Sequence, residues 1–200
     1  MKQTRPVILA SGSPRRKDLL SRAGVEFTVH TAEVDESTNQ YSTPREAVMG
    51  LAERKAAAVY EAYGKGTRSV IIGADTLVSL GKILLGKPED EDHARDMLQA
   101  LSGRTHQVQT GVCIIFPSGM RLTFCDRTDV TFRELEPEEI ESYIATKEPM
   151  DKAGAYAIQG GAASFISKIR GDYNNVVGFP IDHVISLLTE FGLLTETEEG

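Results

Sequence analysis

The sequence has no tryptophan and only two cysteines, Cys113 and Cys125, among its 200 residues. Two cysteines by themselves make neither a disulfide scaffold nor a zinc knuckle. The sequence also has no run of about 18 apolar residues, so we expect no membrane-spanning helix and no membrane partner. Residues 1–6 lack the apolar stretch and small-residue cleavage site of a signal peptide. We therefore expect a cytoplasmic protein.

Basic residues are in the minority: 22 Lys and Arg stand against 29 Asp and Glu, a formal net charge of −7. This balance argues against the broad positive surface with which proteins bind duplex nucleic acid. It leaves open a small anionic ligand, because an acidic protein can hold one by gathering a few cations or by binding a metal ion.

The rest of the composition is that of a globular protein, with 40% hydrophobic and 26% charged residues. Neither an internal repeat nor a Gly/Ser-rich or Pro-rich linker divides the sequence. We predict a single domain at residues 1–194, followed by an acidic tail at residues 195–200.

Helical and strand patterns alternate along the sequence. Apolar runs and alternation predict strands at residues 7–10, 69–78, 83–85, 104–116, 121–132 and 164–169. Helical spacing and capping signals predict helices at residues 14–24, 43–63 and 91–101, from residue 137, and at residues 180–192. This order predicts an α/β fold with a mixed sheet and flanking helices.

Asp75 interrupts an otherwise apolar strand, residues 70–78. A carboxylate in such a strand is drawn out of bulk water, and an unpaired buried charge is costly. We therefore predict that Asp75 meets a metal ion, a Lys or Arg, or a cluster of hydrogen-bond donors. The structural alternative is an aspartate at a strand edge or bulge that bonds to backbone.

Two arginines, Arg15 and Arg16, directly follow the predicted helix cap Ser13-Pro14. A helix N-terminus carries partial positive charge and unpaired N–H groups, so it favours acidic residues. Arginines fit there when an anion binds among them. The alternative is a pair of exposed arginines turned to solvent.

Two lysines are further candidates for binding an anion. Lys55 lies within the apolar stripe of the predicted 43–63 helix, and Lys87 follows the predicted hairpin in Gly86-Lys87-Pro88. Either lysine has an ordinary structural explanation, because core-face lysines extend their stems to water and hairpin ends are commonly basic.

An acidic cluster, Glu33, Asp35 and Glu36, precedes the second helix. Such residues are either a solvated surface or oxygen ligands for Mg²⁺ or Mn²⁺. Further along, Gln159 precedes Gly160 and Gly161, and glycines of this kind let a ligand approach the backbone closely.

Taken together, these segments resemble the Maf family of nucleoside-triphosphate pyrophosphatases. The matching stretches include Ile8-Leu-Ala-Ser-Gly-Ser-Pro-Arg-Arg16, Gly73-Ala-Asp-Thr76, Gly86-Lys-Pro88, Leu101-Ser-Gly-Arg104, Lys147-Glu-Pro149, Asp151-Lys-Ala-Gly-Ala-Tyr156, Ile158-Gln-Gly160 and Gly178-Phe-Pro180. They occur in order across nearly the whole sequence.

The resemblance implies an inosine-triphosphate-pyrophosphatase-like fold, with two lobes around a cleft. It implies hydrolysis of a nucleoside triphosphate to the monophosphate and pyrophosphate with a divalent cation, Mg²⁺ or Mn²⁺. It further implies a house-cleaning role linked to arrest of cell division, and a homodimer.

The resemblance also implies roles for individual residues. Asp75 is the expected proton acceptor, and Arg15, Thr76 and Gln159 are the expected specificity residues. The segments at 151–156 and 158–160 look like the branch of the family that acts on dTTP and UTP.

These expectations suggest a mechanism. A side-chain carboxylate with a pKa of about 4 is a weak base for free water, so a metal ion held by Asp75, with Asp35 or Glu33 completing its ligands, would help activate the water. Ser13, Arg15, Arg16, Lys55 and Lys87 are the predicted triphosphate-binding residues. The amide of Gln159 can match the N3–H and O4 edge of uracil or thymine.

Two alternatives stay open at this point. One is a 7-methyl-GTP pyrophosphatase of the same family. The other is a nucleotide-binding regulator of septum formation that has no catalytic activity.

Overall fold

A computed structural model describes residues 2–195 of the chain. The predicted acidic tail lies outside the described residues, apart from Thr195. The strands are β1 Lys2–Gln3, β2 Val7–Leu9, β3 Phe27–Val29, β4 Val70–Leu80, β5 Ile83–Leu85, β6 Thr105–Ile115, β7 Arg121–Phe132, β8 Ile166–Arg170 and β9 Leu194–Thr195. The α-helices are α1 Pro14–Arg22, α2 Pro44–Val59, α3 Glu91–Leu101, α4 Pro137–Ala145, α5 Tyr173–Val177 and α6 Ile181–Glu190.

The main sheet is mixed, with the strand order β3-β2-β4-β6-β7-β8 and with β5 paired to β4. Strand β2 runs parallel to both of its neighbours, placing Ile8 opposite Thr28 of β3 and Ile71 of β4. The β4–β5 and β7–β8 pairs are antiparallel. The predicted α/β class with a mixed sheet and flanking helices is confirmed.

Local signals in the sequence explain where two helices begin. Helix α1 starts at Pro14, whose fixed φ suits the first helical position, and Gly24 follows its end with a φ of +75°. At the start of α2, Thr43 Oγ1 accepts a hydrogen bond from Glu46 N at 3.1 Å. The Glu46 side chain accepts from Ser42 N at 3.0 Å, so its return bond goes to the residue before the N-cap rather than to the N-cap itself, as a capping box would have it.

Several predicted boundaries differ from the structure. The second helix changes at Val59 into a π-helical turn, Tyr60–Gly64, which Lys65 N closes on Tyr60 O. Strand β4 extends past residue 78 to Leu80, where it turns directly into β5. Strand β8 begins at Ile166, because Gly161–Phe165 forms a 3₁₀ turn in front of it.

The described chain forms two compact units. The first unit comprises residues 2–75, 110–125 and 178–195, and the second comprises residues 76–109 and 126–177. Each has its own apolar core: Ile71 and Ile115 are central to the first, and Leu98 and Phe132 to the second. The single domain expected over residues 1–194 stays a prediction.

Between Lys2 and Thr195, no helix has both the length and the apolar character that crossing a bilayer requires.

Candidate active site

Asp75 and Lys55 form a largely buried ion pair in the first unit. Asp75 is the sixth residue of β4, and only 8% of its surface is exposed. Lys55 extends from α2 so that its Nζ lies 2.7 Å from Asp75 Oδ1. The prediction that the strand carboxylate meets a cation is confirmed, and the Lys55 side chain turns inward rather than running out to water.

Glu36 is the second partner of Lys55. Its Oε1 lies 2.7 Å from Lys55 Nζ, the same distance as Asp75 Oδ1. The two carboxylate oxygens therefore lie no farther apart than twice that distance, with one ammonium group between them. Sequence reasoning placed Glu36 in the acidic cluster but did not include it in the site.

The carboxylate of Asp35, the residue before Glu36, bonds to Ser37 rather than to Lys55. It accepts hydrogen bonds from the backbone N and the hydroxyl of Ser37, at 2.8 and 2.9 Å. These two bonds lower the pKa of Asp35 below its ordinary value. Its backbone carbonyl accepts from Arg54 Nη1 at 2.6 Å. Glu33, the other predicted metal ligand on this segment, is exposed.

The Arg16 side chain links separate segments of the first unit by hydrogen bonds. Its Nη1 donates to Ser11 Oγ at 3.0 Å and to Ala74 O at 2.9 Å, and its Nε donates to Gly178 O at 2.9 Å. Burial lowers the pKa of the Arg16 guanidinium, while the neighbouring Asp75 opposes that shift. Arg16 thus ties the loop after β2 to the carbonyl that precedes Asp75.

The N-terminus of α1 has no side-chain cap. Ser13 occupies the N-cap position, but its side chain makes no capping hydrogen bond, and no acidic residue lies in the first turn. Arg15, in that turn, is half-buried. Free N–H groups at a helix N-terminus favour a negative group.

The other predicted site residues belong to the second unit. Thr76 follows Asp75 on β4 and is half-buried, whereas Lys87 and Gln159 are both exposed. A hydrogen bond of 3.0 Å from Gly154 N to Gly86 O joins the segments that carry Lys87 and Gln159.

The carboxylates around Lys55 supply oxygen atoms of the kind that a hard divalent cation prefers. Carboxylate oxygens are the ligands that Mg²⁺ and Mn²⁺ prefer, and Asp75 and Glu36 supply two of them around one positive charge. No group of three or more His, Cys, Asp or Glu side chains within residues 2–195 is arranged to hold a metal ion. A cation here would thus need further ligands, such as phosphate oxygens or water.

Sequence comparisons place these residues in a family context. Residues 6–191 match the family described as Maf-like protein. A dTTP/UTP pyrophosphatase of Bacillus cereus is 50% identical over 189 residues, covering 94% of this chain and 97% of the relative. One from Bacillus anthracis is 49% identical with the same coverage.

Solved structures share the fold at low sequence identity. A Ham1 protein from Coxiella burnetii matches with a TM-score of 0.54, and the Ham1 protein of Staphylococcus aureus with 0.50. Both are 13% identical, and the match covers 94% of this chain and all of theirs. This likeness concerns the fold alone. Because the family match spans residues 6–191 and half of the residues are identical to those of such a relative, the chain belongs to the Maf-like protein family.

Proposed function

We propose that this protein hydrolyses dTTP and UTP to the nucleoside monophosphate and pyrophosphate. Relatives that are 50% identical over 94% of the chain carry the name dTTP/UTP pyrophosphatase. The structural observation that carries the proposal is the Asp75 carboxylate, which is buried in an apolar strand and held 2.7 Å from Lys55 Nζ.

The reaction joins water to the α-phosphorus of the substrate. A water oxygen attacks that phosphorus in line with the bridging oxygen to the β-phosphate, the bond to this oxygen breaks, and pyrophosphate leaves. Asp75 accepts the proton that water loses, and Lys55 keeps the carboxylate oriented. Such chemistry depends mainly on positioning and charge stabilisation, which a rigid ion pair on a strand and a helix provides.

A triphosphate brings about four negative charges, so an acidic protein must offer its cations locally. We assign the triphosphate to the N-terminus of α1 with Ser13 and Arg15, to Lys55 and to Lys87. Arg16 supports this set by holding the loop before α1 in place.

Asp75 and Glu36 are the residues that would hold a divalent cation, with Asp35 and Glu33 as further oxygen donors on the same segment. When bound, such a cation adds positive charge beside the phosphates and lowers the pKa of water. Lys55, which now lies between the two carboxylates, would then be available for the substrate's own oxygens.

Base selection falls to Gln159, with Thr76 and Arg15 as the other specificity residues. The amide of Gln159 offers one donor and one acceptor, which match the N3–H and O4 groups of uracil and thymine. Guanine instead presents two donors on its N1 and N2 edge, which would suit a carboxylate. This argument favours pyrimidine triphosphates over 7-methyl-GTP.

A regulator of septum formation without catalytic activity is the remaining alternative. A protein that only binds a polyanion gains nothing from a buried carboxylate beside its cations, so Asp75 favours an enzyme. We further propose that the protein acts in the cytoplasm as a homodimer; light scattering of the purified protein tests its oligomeric state.

The test is pyrophosphate release from UTP, dTTP, 7-methyl-GTP and GTP with Mg²⁺ or Mn²⁺. Asp75→Asn keeps the shape of the side chain but removes its basicity, so we expect kcat to fall about 10²–10⁴-fold while UTP still binds. Asp18→Asn, which alters an exposed pair with Arg22, is the matched control and should retain activity. Nucleotide binding without turnover in the wild type would support the regulator instead.

A further inference from the structure

The side chain of Gln159 is weakly constrained by its surroundings. It is exposed, and within residues 2–195 its amide makes no hydrogen bond. By contrast, the preceding residues Ala157 and Ile158 are buried. The backbone of residues 157–161 therefore sets the position from which the Gln159 side chain reaches its amide toward a ligand.

Tyr143 holds the first end of this segment. Its phenolic Oη accepts a hydrogen bond from Ala157 N at 3.1 Å and donates one to Glu148 Oε1 at 2.9 Å. Burial raises the pKa of Tyr143 above its ordinary value, so the phenol keeps the proton that it donates. An edge-on contact with Phe165, at 5.3 Å between ring centres, fixes the ring.

Glu148 holds the other end. Gly161 N lies 3.2 Å from both carboxylate oxygens of Glu148. A Cβ atom at Gly160 would lie 2.0 Å from Glu148 Oε1, so the carboxylate rests against backbone that only glycine leaves open. One carboxylate thus touches the chain directly after Gln159 and, through Tyr143, the chain two residues before it.

Glu148 is itself firmly placed. It begins the short 3₁₀ turn Glu148–Asp151 just beyond α4, and its neighbour Pro149 is buried. Its backbone N donates to Thr146 Oγ1 at 3.2 Å. The buried proline restricts the local backbone, which makes this turn a stable base for the carboxylate.

We propose that Glu148 and Tyr143 are positioning residues for base recognition: together they hold residues 157–161 in the one conformation that presents the Gln159 amide to the pyrimidine. This inference rests on the proposed function. Neither residue is assigned a contact with substrate, and both act through the backbone on either side of Gln159.

The first test measures the positioning itself. In Glu148→Ala, amide hydrogen exchange at residues 157–161 should speed up about tenfold or more, since the loss of one net hydrogen bond is of that order. Glu148→Gln retains an oxygen that can accept from Gly161 N and should recover most of the protection. Glu141→Gln, on the exposed side of α4, is the matched control and should leave this segment unchanged.

The second test measures selectivity. In Glu148→Ala and in Tyr143→Phe, KM for UTP should rise about tenfold with kcat within about twofold, and the preference for UTP over GTP should shrink. Gln159→Ala should lose the same preference. A purely structural role would instead lower thermal stability and kcat together and leave the preference intact.

The outcomes separate the two proposals. If the wild type releases no pyrophosphate from pyrimidine triphosphates, the proposed function fails and the assignment of base recognition falls with it. If the wild type prefers UTP and Gln159→Ala loses that preference, but Glu148→Ala keeps both the preference and slow exchange, only the positioning role is overturned.

Discussion

Gly73 of β4 packs closely against the carbonyl oxygen of Ala52 on α2: a Cβ atom at Gly73 would be 2.6 Å from that oxygen. The same atom would be 2.8 Å from the backbone N of Ala56. Helix and strand thus meet at a distance that only glycine allows. Lys55 and Asp75 lie three and two residues beyond this contact, which explains how a helix lysine reaches a strand carboxylate.

We predict that Gly73→Ala loosens this contact. The obstructing atoms include helix backbone, which cannot rotate away, so overpacking should cost about 1–3 kcal/mol of the free energy of unfolding. Displacement of α2 should also draw Lys55 from Asp75 and lower kcat/KM for UTP. Urea unfolding and pyrophosphate release measure the two effects.

Gly86→Ala is the control for this prediction. A Cβ at Gly86 would meet no atom within 4 Å, and Gly86 has no positive φ. We expect its free energy of unfolding to stay within about 0.5 kcal/mol of the wild type. Equal stability of Gly73→Ala and the wild type would contradict the close contact.

Part of the site could be predicted from the sequence because some residues violate a local pattern. Asp75 interrupts an apolar strand and Lys55 interrupts an apolar helix stripe, and the structure pairs them. Glu36 violates no pattern, since acidic residues are expected on a surface segment. Its one signal lies in adjacency: Arg54 and Lys55 are consecutive on α2 and meet the consecutive residues Asp35 and Glu36.

The fold could be predicted wherever local chemistry sets an element's limits, as the start of α1 at Pro14 and the cap at Thr43 show. The roles of Tyr143 and Glu148 could not. Both depend on contacts with the backbone of residues 157–161, and nothing near Tyr143 in the sequence indicates which distant N–H group it accepts from.

We predict that Arg54 positions Glu36. Arg54 Nη1 donates to the carbonyl of Asp35, and its guanidinium lies 5.4 Å from the centre of the Tyr41 ring, so it secures the segment that carries Glu36. Because the lost hydrogen bond is worth about 1 kcal/mol, Arg54→Gln should lower kcat/KM for UTP about fivefold to tenfold. Stability should change little, because the bond lies on an exposed segment. Steady-state kinetics measure this effect.

Arg22→Gln is the matched control, since within residues 2–195 the ion pair of Arg22 is with Asp18, on the exposed face of α1. It should retain wild-type kinetics. Comparable losses in the two variants would show that overall charge, rather than the position of Glu36, is responsible.

The neighbouring arginines should respond differently to the same substitution. Arg16→Lys cannot serve Ser11, Ala74 and Gly178 together, and a buried acceptor left without its partner costs about 1–3 kcal/mol. We therefore expect a clear loss of free energy of unfolding. Arg15 makes no hydrogen bond within residues 2–195, so Arg15→Lys should leave stability unchanged.

The expected effect of Arg15→Lys is on the substrate. A lysine lacks the fork that binds two phosphate oxygens at once, so KM for UTP should rise about tenfold. Thermal unfolding and steady-state kinetics on both variants measure the contrast. A destabilised Arg15→Lys together with a fully stable Arg16→Lys would reverse the assignment.

His106 should make stability depend on pH. It is fully buried, its Nε2 lies 2.8 Å from Tyr156 Oη, and its Nδ1 has no hydrogen-bond partner in the described structure. Burial lowers the pKa of His106 to about 4, against about 6.5 for an unfolded histidine. Between these values the unfolded chain binds a proton that the folded chain does not, so the free energy of unfolding falls as pH falls.

The loss due to His106 should reach about 3 kcal/mol between pH 7 and pH 4. His106→Gln keeps a polar partner for Tyr156 but does not titrate, so its urea midpoint should change less over this range. The difference between the variant and the wild type isolates the histidine, because carboxylates titrate in both proteins. Parallel pH profiles for His106→Gln and the wild type would show that His106 already takes up its proton in the folded state.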